Sequence, residues 1–286
     1  MRIIHSFITY DSTSVFKKFC NILCMSLSCL YLKQHKEYIV VLYADKKTIE
    51  LVNKLNIPYD EINEINQMDY PKNIYAYPKF IAMQNEPLDS VHIDCDVFLK
   101  GNDIFKILSS DVDVIAQSKE SLNASNYDCW FSSQIESKNV DFPKYMDISD
   151  TACINHMINC GVIAIKNKEL KDLYFKNYWN FLEQYKIKYK LLNNVPELIF
   201  EQRHLLDLCE YKNYSIKYFF ENEAEIYKDA VTLGYQHLLS GSKFSKYCIT
   251  NNLRIIKKLN KDVYNNLKKY YKNFSNYFNE INNYAN

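Results

Sequence analysis

Two aspartates separated by one residue lie within an apolar segment, SVHIDCDVF at residues 90–98. Residues i and i+2 of an extended chain point the same way, so the carboxylates of Asp94 and Asp96 can converge on one cation. Carboxylate and phosphate oxygens are the ligands that Mg²⁺ and Mn²⁺ prefer. A divalent ion held there would neutralise a diphosphate and stabilise it as a leaving group. Short acidic pairs also occur by chance, and exposed structural carboxylates are the alternative interpretation.

The scarcity of glycine limits how the protein can hold a phosphate. The chain has 4 glycines, and neither GxGxxG nor GxxxxGK[ST] occurs in it. A phosphate would therefore be held by a metal ion, by side chains or by a helix N-terminus. The 35 basic and 34 acidic residues nearly balance. No attraction of the whole protein to nucleic acid is implied, and no nucleic-acid partner is expected.

The elements that would position the aspartates form an alternating series. Strands are predicted at residues 2–9, 38–43, 57–62, 112–116 and 158–166, and the segment at residues 90–98 is predicted to begin as a strand. Helices are predicted from a cap at Asp11 or Ser12 to about residue 35, and at residues 46–55, 77–85, 168–190 and 197–210. This order predicts an α/β fold with a mostly parallel sheet flanked by helices. Ligands of such sheets bind beyond the carboxyl ends of the strands, where the two aspartates would lie.

The C-terminal part of the chain has a different composition. Residues 252–286 carry seven basic side chains against two acidic ones, and apolar residues recur at three- and four-residue steps. This pattern is typical of amphipathic helices. We therefore divide the chain into a main domain at residues 1–250 and a basic helical extension at residues 251–286. The extension either packs on the main domain with a solvated basic face or contacts an anionic membrane surface.

The cysteines and the N-terminal residues indicate where in the cell the protein is expected. Nine cysteines without a CxxC pair predict reduced, buried thiols, which indicate the cytoplasm. The basic C-terminal extension would allow a position at the inner face of the membrane. Residues 1–10 have the pattern of a strand rather than of a signal peptide. The most apolar window, residues 19–32, is interrupted by polar side chains, which favours a buried helix over a membrane span.

Five short blocks, in this order, resemble the GT-A superfamily of nucleotide-sugar glycosyltransferases. They are RIIHSFIT with YIVVLYAD, then YPKF, HIDCD, NCGV and HLLSGSK, and the likeness covers about residues 1–250. It is greatest to the group of glycogenin and the bacterial lipopolysaccharide galactosyltransferases. The resemblance implies a GT-A, Rossmann-like catalytic domain of a bacterial hexosyltransferase in glycan biosynthesis. Such an enzyme moves a sugar from a nucleoside diphosphate-sugar, expected to be UDP-linked, to a hydroxyl acceptor, with Mn²⁺ or Mg²⁺ bound by a DxD motif.

The resemblance also implies roles for individual residues. The metal ligands would be Asp94, Asp96 and His237. The donor would be contacted by Ser6, Tyr10, Tyr43 and Asp45 near the base and ribose, by Lys79, by Asn159 and Gly161 at the sugar, and by Gly241 and Lys243 at the diphosphate. The catalytic candidates would be Glu201 and Asp150.

The chain departs from the family pattern at two positions, and alternative functions therefore stay open. Gly241 comes four residues after His237 rather than three, and Cys160 replaces a small hydroxyl residue. The group's chemistry suggests retention at the anomeric carbon, but no base or nucleophile is evident, so the stereochemistry stays open. The acceptor could be a glycan, a lipid-linked glycan or a protein. A metal-dependent phosphohydrolase and a non-catalytic nucleotide-binding adaptor are the alternative functions.

Overall fold

A sheet of seven strands lies at the centre of the protein, in the order β3-β2-β1-β4-β7-β6-β8, and a separate ribbon pairs β5 with β9. The strands are β1 (Arg2–Phe7), β2 (Ile39–Ala44), β3 (Glu61–Glu64), β4 (Val91–Ile93), β5 (Val97–Leu99), β6 (Val114–Ser121), β7 (His156–Ile165), β8 (Ile216–Phe220) and β9 (Tyr235–His237). The computed structural model describes residues 1–9, 13–66, 76–121, 142–146, 156–188, 199–221, 229–238 and 240–283.

The sheet is mostly parallel, as predicted. β1 pairs in parallel with β2 and β4, β2 with β3, and β6 with β8. β7 is antiparallel to both of its neighbours, β4 and β6, so it is the reversed strand of the sheet.

Helices cover both faces of this sheet. They are α1 (Val15–Leu32), α2 (Lys46–Leu55), α3 (Tyr77–Asn85), α4 (Asp103–Leu108), α5 (Lys168–Lys188), α6 (His204–Lys212), α7 (Lys246–Leu259), α8 (Lys261–Tyr270) and α9 (Ser275–Asn283). One apolar cluster joins Ile3 and Val40 to α1, α2 and the three C-terminal helices, and a second joins Ile4 and Val41 to α3, α5 and α6. Successive strand residues thus alternate between two covered faces, which confirms the predicted α/β architecture.

Helix α1 is a core helix. Its N-cap is Ser14, whose hydroxyl accepts a hydrogen bond from the N–H of Lys17 at 3.3 Å, while the predicted caps Asp11 and Ser12 lie outside the described residues. By length and composition the helix could cross a membrane, with a mean hydropathy of 1.4, but 67% of it is buried inside the protein. The burial confirms the prediction of a buried helix.

The segment at residues 90–98 begins as a strand, as predicted, but the two aspartates lie in a turn rather than on an extended strand end. β4 ends at Ile93 and β5 begins at Val97, and the N–H of Val97 donates to the carbonyl of Asp94 across the turn between them (2.9 Å). The strand is interrupted because its two halves pair with different partners, β4 with β7 and β5 with β9. The turn, rather than strand alternation, therefore brings Asp94 and Asp96 together.

The β5–β9 ribbon joins this turn to a distant part of the chain. Its register places Val97 opposite His237, and the N–H of Leu238 donates to the carbonyl of Asp96 (3.0 Å). Two glycines close the far end of the ribbon, where Gly234 has a φ of +67° and its carbonyl accepts from the N–H of Lys100 (2.7 Å). A Cβ on Gly234 would lie 2.5 Å from the backbone nitrogen of Gly101, so a side chain does not fit there.

The C-terminal helices pack on the same apolar cluster as β1. Leu253, Ile256, Val263 and Leu267 are fully buried in it. Helix α7 runs across residue 250, so the chain has no break in helical structure at the predicted boundary. The division at residue 250 and the membrane contact of the extension stay predictions.

Replacing Gly234 with alanine should destabilise the protein by about 1–3 kcal/mol, because a left-handed backbone conformation is strained for a residue with a Cβ. The clash with Gly101 adds to this strain. Thermal and urea unfolding measure the effect. Gly241→Ala is the matched control, since a Cβ at Gly241 meets no atom within 4 Å. Equal stability of the two variants would show that the close approach of Gly101 and Gly234 does not hold the ribbon.

Candidate functional site

The cleft lies where the order of the strands changes direction. From β1 the chain runs outward to β2 and β3, and then returns to place β4 on the other side of β1. A crevice opens beyond the carboxyl ends of two parallel strands at such a point, and open α/β sheets bind their ligands there. Ser6 and Phe7 at the end of β1 and Asp94 and Asp96 after β4 line a cleft of about 240 Å³.

A second cavity of about 220 Å³ adjoins this cleft. The two share Ser6, Phe7 and Asn21, and the second also has the side chains of Thr13 and Lys18 in its wall. Its wall also includes the apolar side chains of Phe7 and Ile8 and the polar side chain of Thr9.

Three possible metal ligands meet at the cleft: Asp94, Asp96 and His237 each offer an atom within 4.8 Å of the others. His237 Nε2 lies 3.5 Å from Asp96 Oδ1. Two ligands of a cation with bonds of about 2.1 Å are separated by about 3 Å at right angles and about 4.2 Å when opposite, and the distance between His237 and Asp96 lies within this range. Two carboxylates and an imidazole are also a chemically suitable donor set for a divalent metal.

Lys79 occupies the inner wall of the cleft. Its ammonium contacts Asp94 Oδ1 at 2.9 Å, Glu201 Oε1 at 2.7 Å and the carbonyl of Cys160 at 3.0 Å. Burial lowers the pKa of Lys79, but the two carboxylates outweigh burial and hold the pKa above its usual range. Lys79 therefore stays charged and fixes both acids.

Glu201 belongs to a π-helical turn, Ile199–Arg203, directly before α6. Its side chain is 1% exposed, and its Oε2 has no hydrogen-bond partner among the described residues. Burial raises the pKa of Glu201, and Lys79 offsets only part of that effect. Such turns are frequent at functional sites, and this one brings an acid with a spare acceptor oxygen to the wall of the cleft.

Lys243 pairs with Asp96, whereas Lys79 pairs with Asp94. It comes from a short 3₁₀ helix, Ser240–Phe244, and its ammonium donates to Asp96 Oδ2 at 2.7 Å. Burial raises the pKa of Asp96, but contacts with His237 and Lys243 outweigh burial and leave the pKa below its usual range. Asp96 is thus an ionised carboxylate, ready to bind a cation.

Some other residues implied by the resemblance do not line the cleft or the second cavity; they are Tyr43, Asp45, Asn159 and Gly241. Tyr43 turns its hydroxyl to Glu86 at 2.9 Å, away from the cleft, and Asp45 accepts from the N–H of Thr9 (3.1 Å) at the end of β1. Asn159 accepts from the N–H of Gly161 at 2.8 Å within β7. Gly241 is exposed. Tyr10 and Asp150 lie outside the described residues.

Three side chains of the site were not indicated by the sequence. His92 is 1% exposed, and its Nε2 lies 2.8 Å from Ser6 Oγ. Burial holds the pKa of His92 well below its usual value, so the ring is neutral. Gln117 and Tyr235 contact each other behind His237. A histidine and a glutamine in otherwise apolar strands are a signal, but the sequence does not show which distant residue each one meets.

Two of the acids considered for the second metal site of a phosphohydrolase have other partners in the described part of the chain. Asp103 pairs with Lys106 on α4, and Asp113 accepts hydrogen bonds from Ser215 and Asn167. In the part of the chain that the structure describes, Asp94, Asp96 and His237 are the group with metal-ligand spacing.

A protein-family model with the description "Family of unknown function (DUF6734)" matches residues 1–283. The chain belongs to DUF6734. No curated protein matches it.

Solved structures similar to this DUF6734 member include glycosyltransferases. They include galactosyltransferase LgtC in complex with donor and acceptor sugar analogs, with 13% identity, 77% of this chain and 73% of that chain covered, and a TM-score of 0.43. An active-site mutant of LgtC matches at 14% identity with the same coverage, 77% and 73%, and a TM-score of 0.41. The apo form of GlyE from Streptococcus pneumoniae TIGR4 matches at 9% identity, with 82% of this chain but 49% of that chain covered and a TM-score of 0.39. At such scores these likenesses identify no activity, and the chemistry is argued from the side chains of the site.

Replacing Lys79 with methionine should lower the free energy of unfolding by about 3–5 kcal/mol, because it leaves the buried Glu201 without its counter-ion. The double variant Lys79→Met/Glu201→Gln should be more stable than Lys79→Met alone. Lys168→Met, which breaks an exposed pair with Asp172, is the control and should cost at most about 0.5 kcal/mol. Urea unfolding measures all three. A Lys79→Met variant as stable as Lys168→Met would contradict the role of Lys79 as the counter-ion of Glu201.

Proposed function

We propose that this protein is a glycosyltransferase that moves a sugar from a nucleoside diphosphate-sugar to a hydroxyl acceptor with the help of a divalent metal ion. The observation that carries the proposal is the meeting of Asp94, Asp96 and His237 at one point, with Lys79 paired to Asp94 and Lys243 paired to Asp96. This group lies in the crevice between β1 and β4, where a nucleotide-binding sheet holds its ligand.

The charges of the site suit a diphosphate. Three carboxyl groups, of Asp94, Asp96 and Glu201, lie beside the ammonium groups of Lys79 and Lys243, and a divalent ion would add the positive charge that a diphosphate needs. When bound, the ion neutralises the diphosphate and stabilises it as it leaves. The ammonium of Lys243, held at the edge of the cleft by Asp96, is placed to stabilise the same charge. Fixed charges of this kind cost no reorganisation during the reaction, and losing one costs about 10²–10³ in rate.

The metal is Mn²⁺ in preference to Mg²⁺. Mg²⁺ requires near-ideal octahedral geometry and favours oxygen ligands. The site offers an imidazole besides its two carboxylates, and nitrogen ligands suit a transition metal better.

The second cavity is the site for the nucleoside. Its wall combines the apolar Phe7 and Ile8 with polar side chains of Ser6, Thr9 and Asn21. This combination fits the flat base and the ribose of a nucleotide. UDP is the first candidate for that nucleotide. Tyr10, Tyr43 and Asp45 remain predicted contacts of the donor, although Tyr43 is turned away from the cavity.

The sugar and its acceptor would lie toward Glu201 and Gln202, at the other end of the cleft. The spare oxygen of Glu201 could accept a hydrogen bond from a sugar hydroxyl, and Asp150 remains a predicted catalytic residue. A glycan, a lipid-linked glycan or a protein could be the acceptor. The seven described cysteines are all free thiols, which supports a cytoplasmic location.

Calorimetric titration tests the proposal directly. UDP, GDP and CDP are titrated with and without Mn²⁺ into the wild type, Asp96→Asn and a control, Asp103→Asn, which alters an exposed acid paired with Lys106. One nucleotide should bind in the presence of Mn²⁺, and Asp96→Asn should weaken that binding at least tenfold because a ligand of the ion loses its charge. The control should bind like the wild type.

The outcomes separate the proposed function from its alternatives. Metal-dependent binding of a nucleotide without turnover of its sugar derivative on any acceptor would favour an adaptor protein. Hydrolysis of a simple phosphoester would favour a phosphohydrolase. Absence of nucleotide binding under every condition would contradict the proposal.

A further inference from the structure

Gln117 lies behind His237, on the side away from the aspartates. Gln117 Oε1 lies 2.8 Å from His237 Nδ1, and His237 Nε2 points to Asp96 Oδ1 at 3.5 Å. The two ring nitrogens of His237 therefore have different neighbours. An imidazole needs an unprotonated nitrogen to bind a metal, and the hydrogen bond made by the other nitrogen sets which one that is.

We propose that Gln117 is the positioning residue of the metal site: its carbonyl oxygen accepts from His237 Nδ1–H and leaves the Nε2 lone pair aimed at the ion between Asp94 and Asp96. This inference rests on the proposed function, since it assigns a task to a residue toward the metal of that site. Gln117 itself does not contact the ion.

A distortion of the sheet places Gln117 in this position. Ala116 pairs with Ile163 and Ser118 with Asn159, so Gln117 alone stands opposite residues 160–162 of β7. Such bulges are frequent beside active sites, where they re-aim a side chain. Here the bulge lies beside Asp94, whose N–H donates to the carbonyl of Gly161 at 2.8 Å.

The lack of a side chain at Gly161 makes room for the pair. A Cβ at Gly161 would lie 2.4 Å from Gln117 Oε1 and 2.7 Å from His237 Cε1. Both contacts are too short for any residue other than glycine without displacing the glutamine or the histidine. The close approach of Gln117 to His237 thus explains why a glycine stands in the NCGV block of this chain.

Tyr235 fixes the amide from a second direction. Its hydroxyl donates to the same Oε1 of Gln117 at 2.5 Å, and Tyr235 and His237 lie on the same side of β9, two residues apart. Gln117 is 1% exposed and Tyr235 4% exposed, so water does not compete for this oxygen. The amide oxygen therefore has two donors, one of which is the ligand of the proposed metal.

The test compares variants that differ in the acceptor alone. Gln117→Met keeps the length of the side chain and removes the amide, and Gln117→Glu keeps an acceptor oxygen. Tyr235→Phe is the control, because it removes a hydrogen bond at the same oxygen and leaves the bond to His237. Binding of Mn²⁺, alone and with UDP, is measured by calorimetry. Partners of metal-bound histidines are worth about 10- to 100-fold in metal affinity, so Gln117→Met should lose that much, while Gln117→Glu and Tyr235→Phe should stay close to the wild type.

A second measurement does not depend on metal binding or on the stability of the variants. In the metal-free wild type at about pH 9, where imidazole is neutral, ¹⁵N NMR of His237 should show the proton on Nδ1. A proton on Nε2, or Mn²⁺ binding by Gln117→Met equal to that of the wild type, would overturn the inference. If the wild type binds no Mn²⁺ even with UDP, the proposed function fails, and the tautomer still decides whether Gln117 orients His237.

Discussion

The pairing of β5 with β9 is the constraint on which the site depends. It joins residues 97–99 to residues 235–237 and so carries His237 across the sequence to the turn that holds the two aspartates. The ribbon has its own hydrogen bonds and lies outside the main sheet. Its far end depends on the close approach of Gly101 and Gly234, and its near end on the bond from Leu238 to Asp96. The metal-ligand geometry is therefore a property of backbone pairing as much as of side-chain identity.

The site also contains a buried ion pair, between Lys79 and Glu201, that is not required to form the sheet or its apolar cores. Lys79 and Glu201 are nearly inaccessible to water, and burying such a pair costs desolvation energy that its attraction does not always exceed. The cost becomes understandable if the charges prepare a site for a metal and a diphosphate, because charges fixed before the ligand arrives need not reorganise when it reacts. The free oxygen of Glu201 and the neutral His92 beside Ser6 fit the same interpretation.

Local features of the structure could be predicted from the sequence, and long-range ones could not. Helices α2 and α3 begin and end where their apolar patterns and flanking residues indicate, and the parallel sheet follows from the alternation of elements. The turn at Asp94–Asp96 was missed because an apolar run does not show that its two halves pair with different strands. Gln117 was missed because its role depends on a bulge and on residues more than a hundred positions away. Tyr43, by contrast, is predicted near the donor but donates to Glu86, a partner that no local pattern indicates.

The central claim is that Asp94, Asp96 and His237 together hold a divalent ion that binds a nucleoside diphosphate. Crystals grown with Mn²⁺ and UDP, with data collected at the manganese absorption edge, test it most directly. The account predicts one anomalous peak within bonding distance of both carboxylates and of His237 Nε2, with the diphosphate completing the coordination of the ion. A nucleotide bound in the cleft with no manganese at these three residues, or manganese bound only elsewhere, would contradict it.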